Sequence, residues 1–404
     1  MRRERAKQTD GGNVSRELSF VLVGLTVLAL LLYVIGIQGW LRSMVALVVY
    51  TFVPGAALLT RLPRLRPIAR VALAAAISLT IIAATSYLLL LLRQFYPAIV
   101  AALVFPISAF VLARHAPPAG RDERRRKIGR KIVKGWEALL GDRLALGICG
   151  ALLIAAGFWF YSVNQVDYRE IADFGLVPLL GASWKASFAI VLVALGVYAT
   201  STAPKPWLMA TIVGALIAAV YLVPIAVYDV PHYPWNYKHV GVTELLLHNH
   251  RKLDFVDIYN RWPSFFAAAG VYTRFGGFSN TLDYVKWAEI YFIALQSTLV
   301  AAIALTVDRR VAVAGLSAAF FVLLNWIGQA YFSPQAYSFV LMLAVVLIAF
   351  GQLYDGGNRI GELLKRIGAF LVRKKQEWPG RPQSTDWPQG VAVAILLAII
   401  FVTA

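Results

Sequence analysis

Long uncharged apolar runs, recurring from one end of the chain to the other, constrain this sequence more than any other feature. Crossing a bilayer takes about 18 to 25 such residues in a helix, because lipid offers the backbone no hydrogen-bond partner. Runs read between charges cover 18–41, 44–60, 71–92, 95–113, 144–163, 186–203, 207–228, 290–307 and 391–404. The stretch 311–354 is too long for one span, and its polar middle, 325–335, contains Pro334, which has no amide hydrogen to donate. It reads as two helices joined by a tight turn, which makes about eleven spans. The expected fold is therefore all-α, a polytopic transmembrane helical bundle. No cleavable leader is evident, because the apolar stretch after Glu17 has full span length. The last run stops at Ala404 while still apolar, so further chain is expected beyond it.

Composition supports the same class. Of 404 residues 59% are hydrophobic and 15% charged, well below the quarter or so of charged residues in soluble domains. The net charge of +18 would by itself raise nucleic acid as a partner. Its distribution points to a membrane instead. With the N-terminus cytoplasmic, alternate loops collect 29 of the 39 Lys and Arg residues inside, for a net +17, and leave the outer segments at +1. The chain then divides into a four-span bundle over 1–113, a basic cytoplasmic loop over 114–143, a core over 144–354 with its outer loop at 229–286, a second basic loop over 355–388, and the start of a further span at 389–404. Within the basic loops, 124–143 and 359–374 place apolar residues on one helical face and cations opposite, as in helices lying on an anionic leaflet. Cys149 stands alone, which excludes a disulfide framework or cysteine-ligated zinc.

The outer loop concentrates the chemistry. It holds His232, His239, His248 and His250, the acids Asp229, Glu244, Asp254, Asp257 and Asp283, and the cations Lys238, Arg251, Lys252, Arg261 and Arg274, interleaved with aromatics and prolines. Asp229 follows directly on a span, a position that suits a general base acting on a polar acceptor while a lipid-linked donor stays in the bilayer; ending the helix at the interface is the plainer role. Lys238, Arg251, Arg261 and Arg274 are placed to steady a phosphate, or to snorkel to lipid headgroups. The uncharged run 263–273 is too short to span and suits a re-entrant or interfacial helix. Elsewhere on the outer side, Asp167, Glu170 and Asp173 share a short loop. Gln329, Tyr331, Ser333 and Gln335 offer neutral hydrogen-bonding groups in the 325–335 turn, suited to sugar hydroxyls or to helix capping. Glu289 lies just inside an apolar run, where a carboxylate is expensive and is read by default as functional. His248, His250, Asp254 and Asp257 are of metal-binding type but match no ligand spacing, so no metal is assigned and a divalent cation stays open. No phosphate-binding loop or dinucleotide fingerprint is present.

Three strings carry a family resemblance: a span ending in Asp229 followed by Tyr233-Pro234-x-x-Tyr237-Lys238; the return Asp257-Ile258-Tyr259-Asn260-x-Trp262-Pro263; and Trp326-x-Gly328-Gln329-x-Tyr331-Phe332-Ser333-Pro334-Gln335. Over about 225–350 the chain resembles GT-C-type integral membrane glycosyltransferases, and the third string is similar to an element of large multi-pass membrane proteins grouped with them. The chain departs from that pattern in having seven spans before the loop, where the core usually begins with one. The resemblance implies a cell-membrane enzyme that moves a sugar from a polyprenyl-phosphate donor to an extracytoplasmic acceptor. It implies Asp229 as the catalytic carboxylate, with Asp254 or Asp257 assisting. Substrate contacts would come from Tyr237, Lys238, His239, Arg261, Trp262, Gln329 and Ser333, and the partners would be the lipid bilayer, the donor lipid and anionic lipids on the cytoplasmic face. The rival readings are a transporter or flippase for a lipid-linked glycan and a non-catalytic membrane scaffold. A transporter predicts internal repeats, and none is convincing.

Overall fold

A computed structural model describes residues 16–60, 65–115, 142–171, 175–202, 204–252, 258–325 and 330–355. Among these residues there are thirteen α-helices and no strands. They are α1 (Arg16–Ile35), α2 (Trp40–Leu59), α3 (Pro67–Leu91), α4 (Pro97–His115), α5 (Arg143–Val163), α6 (Gly181–Ala199), α7 (Pro206–Val227), α8 (Pro234–Asn249), α9 (Ser264–Phe275), α10 (Leu282–Val285), α11 (Ala288–Val307), α12 (Val311–Leu324) and α13 (Pro334–Asp355). Nine are long and apolar enough to cross a membrane, and α12 is a shorter apolar helix of 14 residues. The protein is thus an all-α polytopic membrane protein. The run at 391–404, the basic stretch 359–374 and all of 124–143 except Asp142 and Arg143 lie outside the described residues.

Helix starts follow local chemistry. Proline opens α3, α4, α7, α8 and α13, where its missing N–H would have had no partner and its fixed φ suits the first turn. Asp142 caps α5 by accepting from the Ala145 amide at 3.0 Å and pairs with Lys205 at 2.7 Å. Six spans begin earlier than the charge boundaries predict, because each takes in charged residues: Arg16 and Glu17 in α1, Arg42 in α2, Arg70 in α3, Arg143 in α5, Lys185 in α6 and Glu289 in α11. Lys185 is exposed one turn into its helix, whereas Arg42 and Glu289 are buried.

The connections turn the spans back on one another, so that 36–39, 92–96, 164–171, 175–180, 228–252, 258–287 and 330–333 gather at one end of the bundle. Bonds between these segments confirm it: the Phe95 amide donates to the His250 carbonyl at 3.0 Å, His250 Nδ1 returns a bond of 3.0 Å to the Phe95 carbonyl, and the His239 ring meets the Phe332 carbonyl at 2.6 Å. At the opposite end Arg66 reaches the Leu305 carbonyl and Lys205 meets Asp142.

The run 263–273 forms α9, and the structure places it inside the bundle. Every residue from Ser264 to Phe275 except Arg274 is buried, against α2, α3, α4, α8 and α13. Gly270 permits this approach, since a Cβ there would sit 3.1 Å from Leu247 Cδ2. The helix ends abruptly at Gly277, whose φ of +83° is open to glycine. Arg42 serves the last turn: its Nε donates to the Phe275 carbonyl at 2.9 Å and its Nη2 to the Arg274 carbonyl at 2.6 Å, while Nη1 holds Ile37 at 3.1 Å. A cation facing the carbonyl end of a helix is favourable both as hydrogen-bond donor and as a charge on the helix dipole. The Ser43 hydroxyl donates to Gly276 at 3.0 Å, and the Tyr50 and Tyr284 hydroxyls donate to the carbonyls of Ala268 and Ala269.

Replacing Arg42 with Met strands three carbonyls in this buried corner and should destabilise the protein by on the order of 3 kcal/mol. Thermal unfolding in detergent should show Arg42→Met melting well below wild type, with Gly147→Ala, where an added Cβ meets nothing within 4 Å, close to wild type. Equal midpoints for the two variants would refute the role given to Arg42. At the α2–α3 crossing, a Cβ on Gly55 would fall 2.0 Å from the Ala74 carbonyl oxygen. Gly55→Ala should therefore cost about 1–3 kcal/mol in the same assay.

Candidate functional site

A buried carboxylate organises the loop-bearing end. Glu289 occupies the first turn of α11 and is 7% exposed. The segment after α7 brings two groups to it. The Tyr233 side chain lies beside the Glu289 carboxyl, and His232 Nε2 lies 3.8 Å from Oε2. Pro231 and Pro234 flank this pair and limit its backbone to extended and helix-start geometry. The Tyr221 hydroxyl of α7 donates to the Val322 carbonyl at 3.2 Å.

Rings extend from this cluster across the end of the bundle. Centroids are 5.7 Å apart for Tyr228 and His232, 4.1 Å for His232 and Tyr233, 5.2 Å for Tyr233 and Tyr331, 5.8 Å for Tyr331 and His239, and 5.0 Å for His239 and Tyr259. Burial sets the protonation of the groups facing Glu289. It holds the His232 imidazole below its ordinary value and pushes the Tyr233 hydroxyl up to about 12, so that at neutral pH the imidazole is neutral and the phenol keeps its proton. Tyr331 is shifted the same way as Tyr233, again chiefly by burial.

The residues singled out in the sequence are placed as follows. Asp229 is exposed two residues beyond α7 and has no hydrogen bond or ion pair among the described residues. Tyr237, Arg261 and Trp262 are exposed. Lys238 is exposed as well, with Nζ 5.5 Å from the Trp235 ring and 5.0 Å from that of Tyr259. His239 is fully buried on the Phe332 carbonyl, and the Ser333 hydroxyl accepts from the Ala336 amide, capping α13. Asp254, Asp257 and Gln329 lie outside the described residues. His248 is exposed and His250 stacks on Tyr96 at 4.3 Å. Among the described residues no three of His, Cys, Asp and Glu converge as a metal site would require.

The structure therefore joins Glu289 to the 228–233 and 330–333 segments and leaves Asp229 apart. Glu289 was visible as a carboxylate within an apolar run. His232 and Tyr233 carried no such signal, because nothing in their spacing connects them to a helix start 56 residues later. Comparison with family models, curated proteins and solved structures finds no match to this chain.

Burial and a neighbouring carboxylate pull the His232 pKa in opposite directions, and burial dominates here. An NMR titration of His232 in nanodiscs should give a midpoint below the ordinary value of about 6.5. A midpoint above it would show that an ionised Glu289 outweighs desolvation.

Proposed function

We propose that this chain is a membrane glycosyltransferase that moves a sugar from a polyprenyl-phosphate donor to an acceptor at the extracytoplasmic face, with Glu289 as its general base. The buried Glu289 carboxyl, with His232 and Tyr233 beside it at the loop-bearing end, carries this reading. Such a carboxylate is expensive to keep, and among the described residues no Lys or Arg pairs with it. The cation distribution supports turning this end outward, toward a cell exterior, with the basic loops on the anionic cytoplasmic leaflet.

In the proposed reaction an acceptor hydroxyl gives its proton to Glu289 while its oxygen attacks the anomeric carbon. The bond from that carbon to the phosphate oxygen breaks, and polyprenyl phosphate leaves with the electron pair. The neutral His232 imidazole then takes the proton from Glu289 toward solvent. Tyr233 holds the carboxylate in position. Lys238, exposed at the same end, offers a charge for the departing phosphate.

This assignment separates the two carboxylates near the loop. With purified protein in nanodiscs and a radiolabelled polyprenyl-phosphate sugar, Glu289→Gln should lower turnover by about 10²–10⁴-fold. Asp229→Asn should stay within about threefold of wild type, as expected for an exposed group outside the reacting centre. Full turnover by Glu289→Gln at wild-type expression would overturn the mechanism.

A further inference from the structure

Where α2, α3 and α4 meet, the spans leave an apolar groove of about 400 Å³, a volume in the range of ligand clefts. Local sequence explains the opening. Gly55 draws α2 onto α3, its amide donating to the Ser78 hydroxyl at 2.8 Å. Pro54 beside it cannot continue the hydrogen-bond ladder of α2, and Pro106 interrupts α4 in the same way. Pro54, Ala57, Val104 and Ser108 are buried at the floor of the groove, and Leu58, Leu103 and Ile107 stand exposed along its rim.

The lining limits what the groove can hold. Its two hydroxyls are used within their own helices, Thr85 on the Ile81 carbonyl at 2.8 Å and Ser108 on that of Val104 at 2.6 Å, so nothing polar is offered to an occupant. From Leu103 to Val111 the groove follows α4 for about 12 Å at 1.5 Å per residue. An open apolar slot inside a bilayer is filled by hydrocarbon, since an empty one forfeits dispersion contacts along its length. Lipid tails are as apolar as leucine, however, so the slot alone cannot select one lipid from another. Selection has to come from its mouth. Val111 lines that end, and Arg114 and His115 follow it by three and four positions on the same face of α4. His115 Nδ1 bonds the Val111 carbonyl at 2.9 Å. Arg114 is exposed and has no carboxylate partner among the described residues. This end of the bundle lies opposite the Glu289 cluster, on the side where the cation distribution puts the anionic cytoplasmic leaflet. The carbonyl end of α4 disfavours an anion by itself, so the guanidinium has to supply the attraction.

We infer that this groove is a phospholipid site of the cytoplasmic leaflet, with one acyl chain lying between α2, α3 and α4 and an anionic headgroup held by Arg114. The site is separate from the Glu289 cluster and does not depend on the glycosyltransferase reading. Arginine suits the mouth because its stem lies along apolar surface while its guanidinium reaches the headgroup level, where it binds phosphate oxygens in a fork. The acyl chain completes the packing around α2, the helix whose Arg42, Ser43 and Tyr50 hold α9.

The test is photocrosslinking of the full chain in phosphatidylcholine nanodiscs doped with one of two probes, a phosphatidylglycerol or a phosphatidylcholine carrying a mid-chain diazirine. Mass spectrometry maps the adducts. The phosphatidylglycerol probe should label Leu58, Leu103 and Ile107 more than Leu153 and Ile154, exposed residues of α5, and unlabelled phosphatidylglycerol should compete the groove adducts away. The phosphatidylcholine probe should label the two places alike. Arg114→Gln should lower groove labelling by phosphatidylglycerol about fivefold, the attraction of one interfacial cation, while Arg114→Lys keeps most of it and α5 labelling stays constant in both. Ile107→Trp, which narrows the groove from its rim, should reduce adducts at Leu58 and Leu103. Phe110→Trp, exposed on the same helix but outside the groove, should not. Even labelling of groove and α5 by both probes, or groove labelling by phosphatidylglycerol that survives Arg114→Gln unchanged, would overturn the inference and leave the groove to bulk lipid. A groove that neither probe labels while α5 is labelled would overturn it in favour of protein, a second copy or another segment of the chain, as the occupant.

Discussion

A helix too short to span a bilayer has to be enclosed by helices that do, because lipid cannot satisfy the polar groups at its ends. The burial of α9 is the constraint on which the rest of this structure depends. Its last carbonyls are met by Arg42 and Ser43 from α2, its middle carbonyls by Tyr50 and Tyr284, and its turn by Gly277. These bonds join positions more than 200 residues apart and tie the first spans to the long loop. The loop is consequently a folded part of the bundle, with α8 packed on α9 and α10 packed on α8.

That attachment allows a site at the bundle end to be rigid. Segments 228–233 and 330–333 meet through the Tyr233 and Tyr331 rings, and His239 of α8, bonded to the Phe332 carbonyl, holds the second segment against that helix. Tyr233 and His232 then meet Glu289 at the start of α11, and the rings continue toward Tyr259.

Much of the fold was legible in the sequence because spanning a membrane leaves a one-dimensional trace. Among the described residues the apolar runs marked the spans to within a few residues, and Pro334 with its polar neighbours divided 311–354 into α12 and α13. The boundaries slipped where a charge was taken as the edge of a helix. Arg42 looked like a break between two spans, but backbone carbonyls solvate its guanidinium, and that compensation comes from a segment more than 200 residues away. The site was harder to read for the same reason. Asp229 stood out by its position after a span, yet position along the chain says nothing of what packs against a side chain, and in the fold it is exposed. Glu289 was legible as an expensive carboxylate. Its partners His232 and Tyr233 were not, since only the return of the chain through α9 and α10 brings them to it.

Hydrogen exchange resolved by mass spectrometry tests the burial of α9 most directly. With the chain in nanodiscs, the amides of 264–275 should remain protected for hours, together with those of α3 and α11. Exchange of 264–275 within seconds, as fast as the exposed 167–170 turn, would contradict the enclosed helix and the architecture built on it.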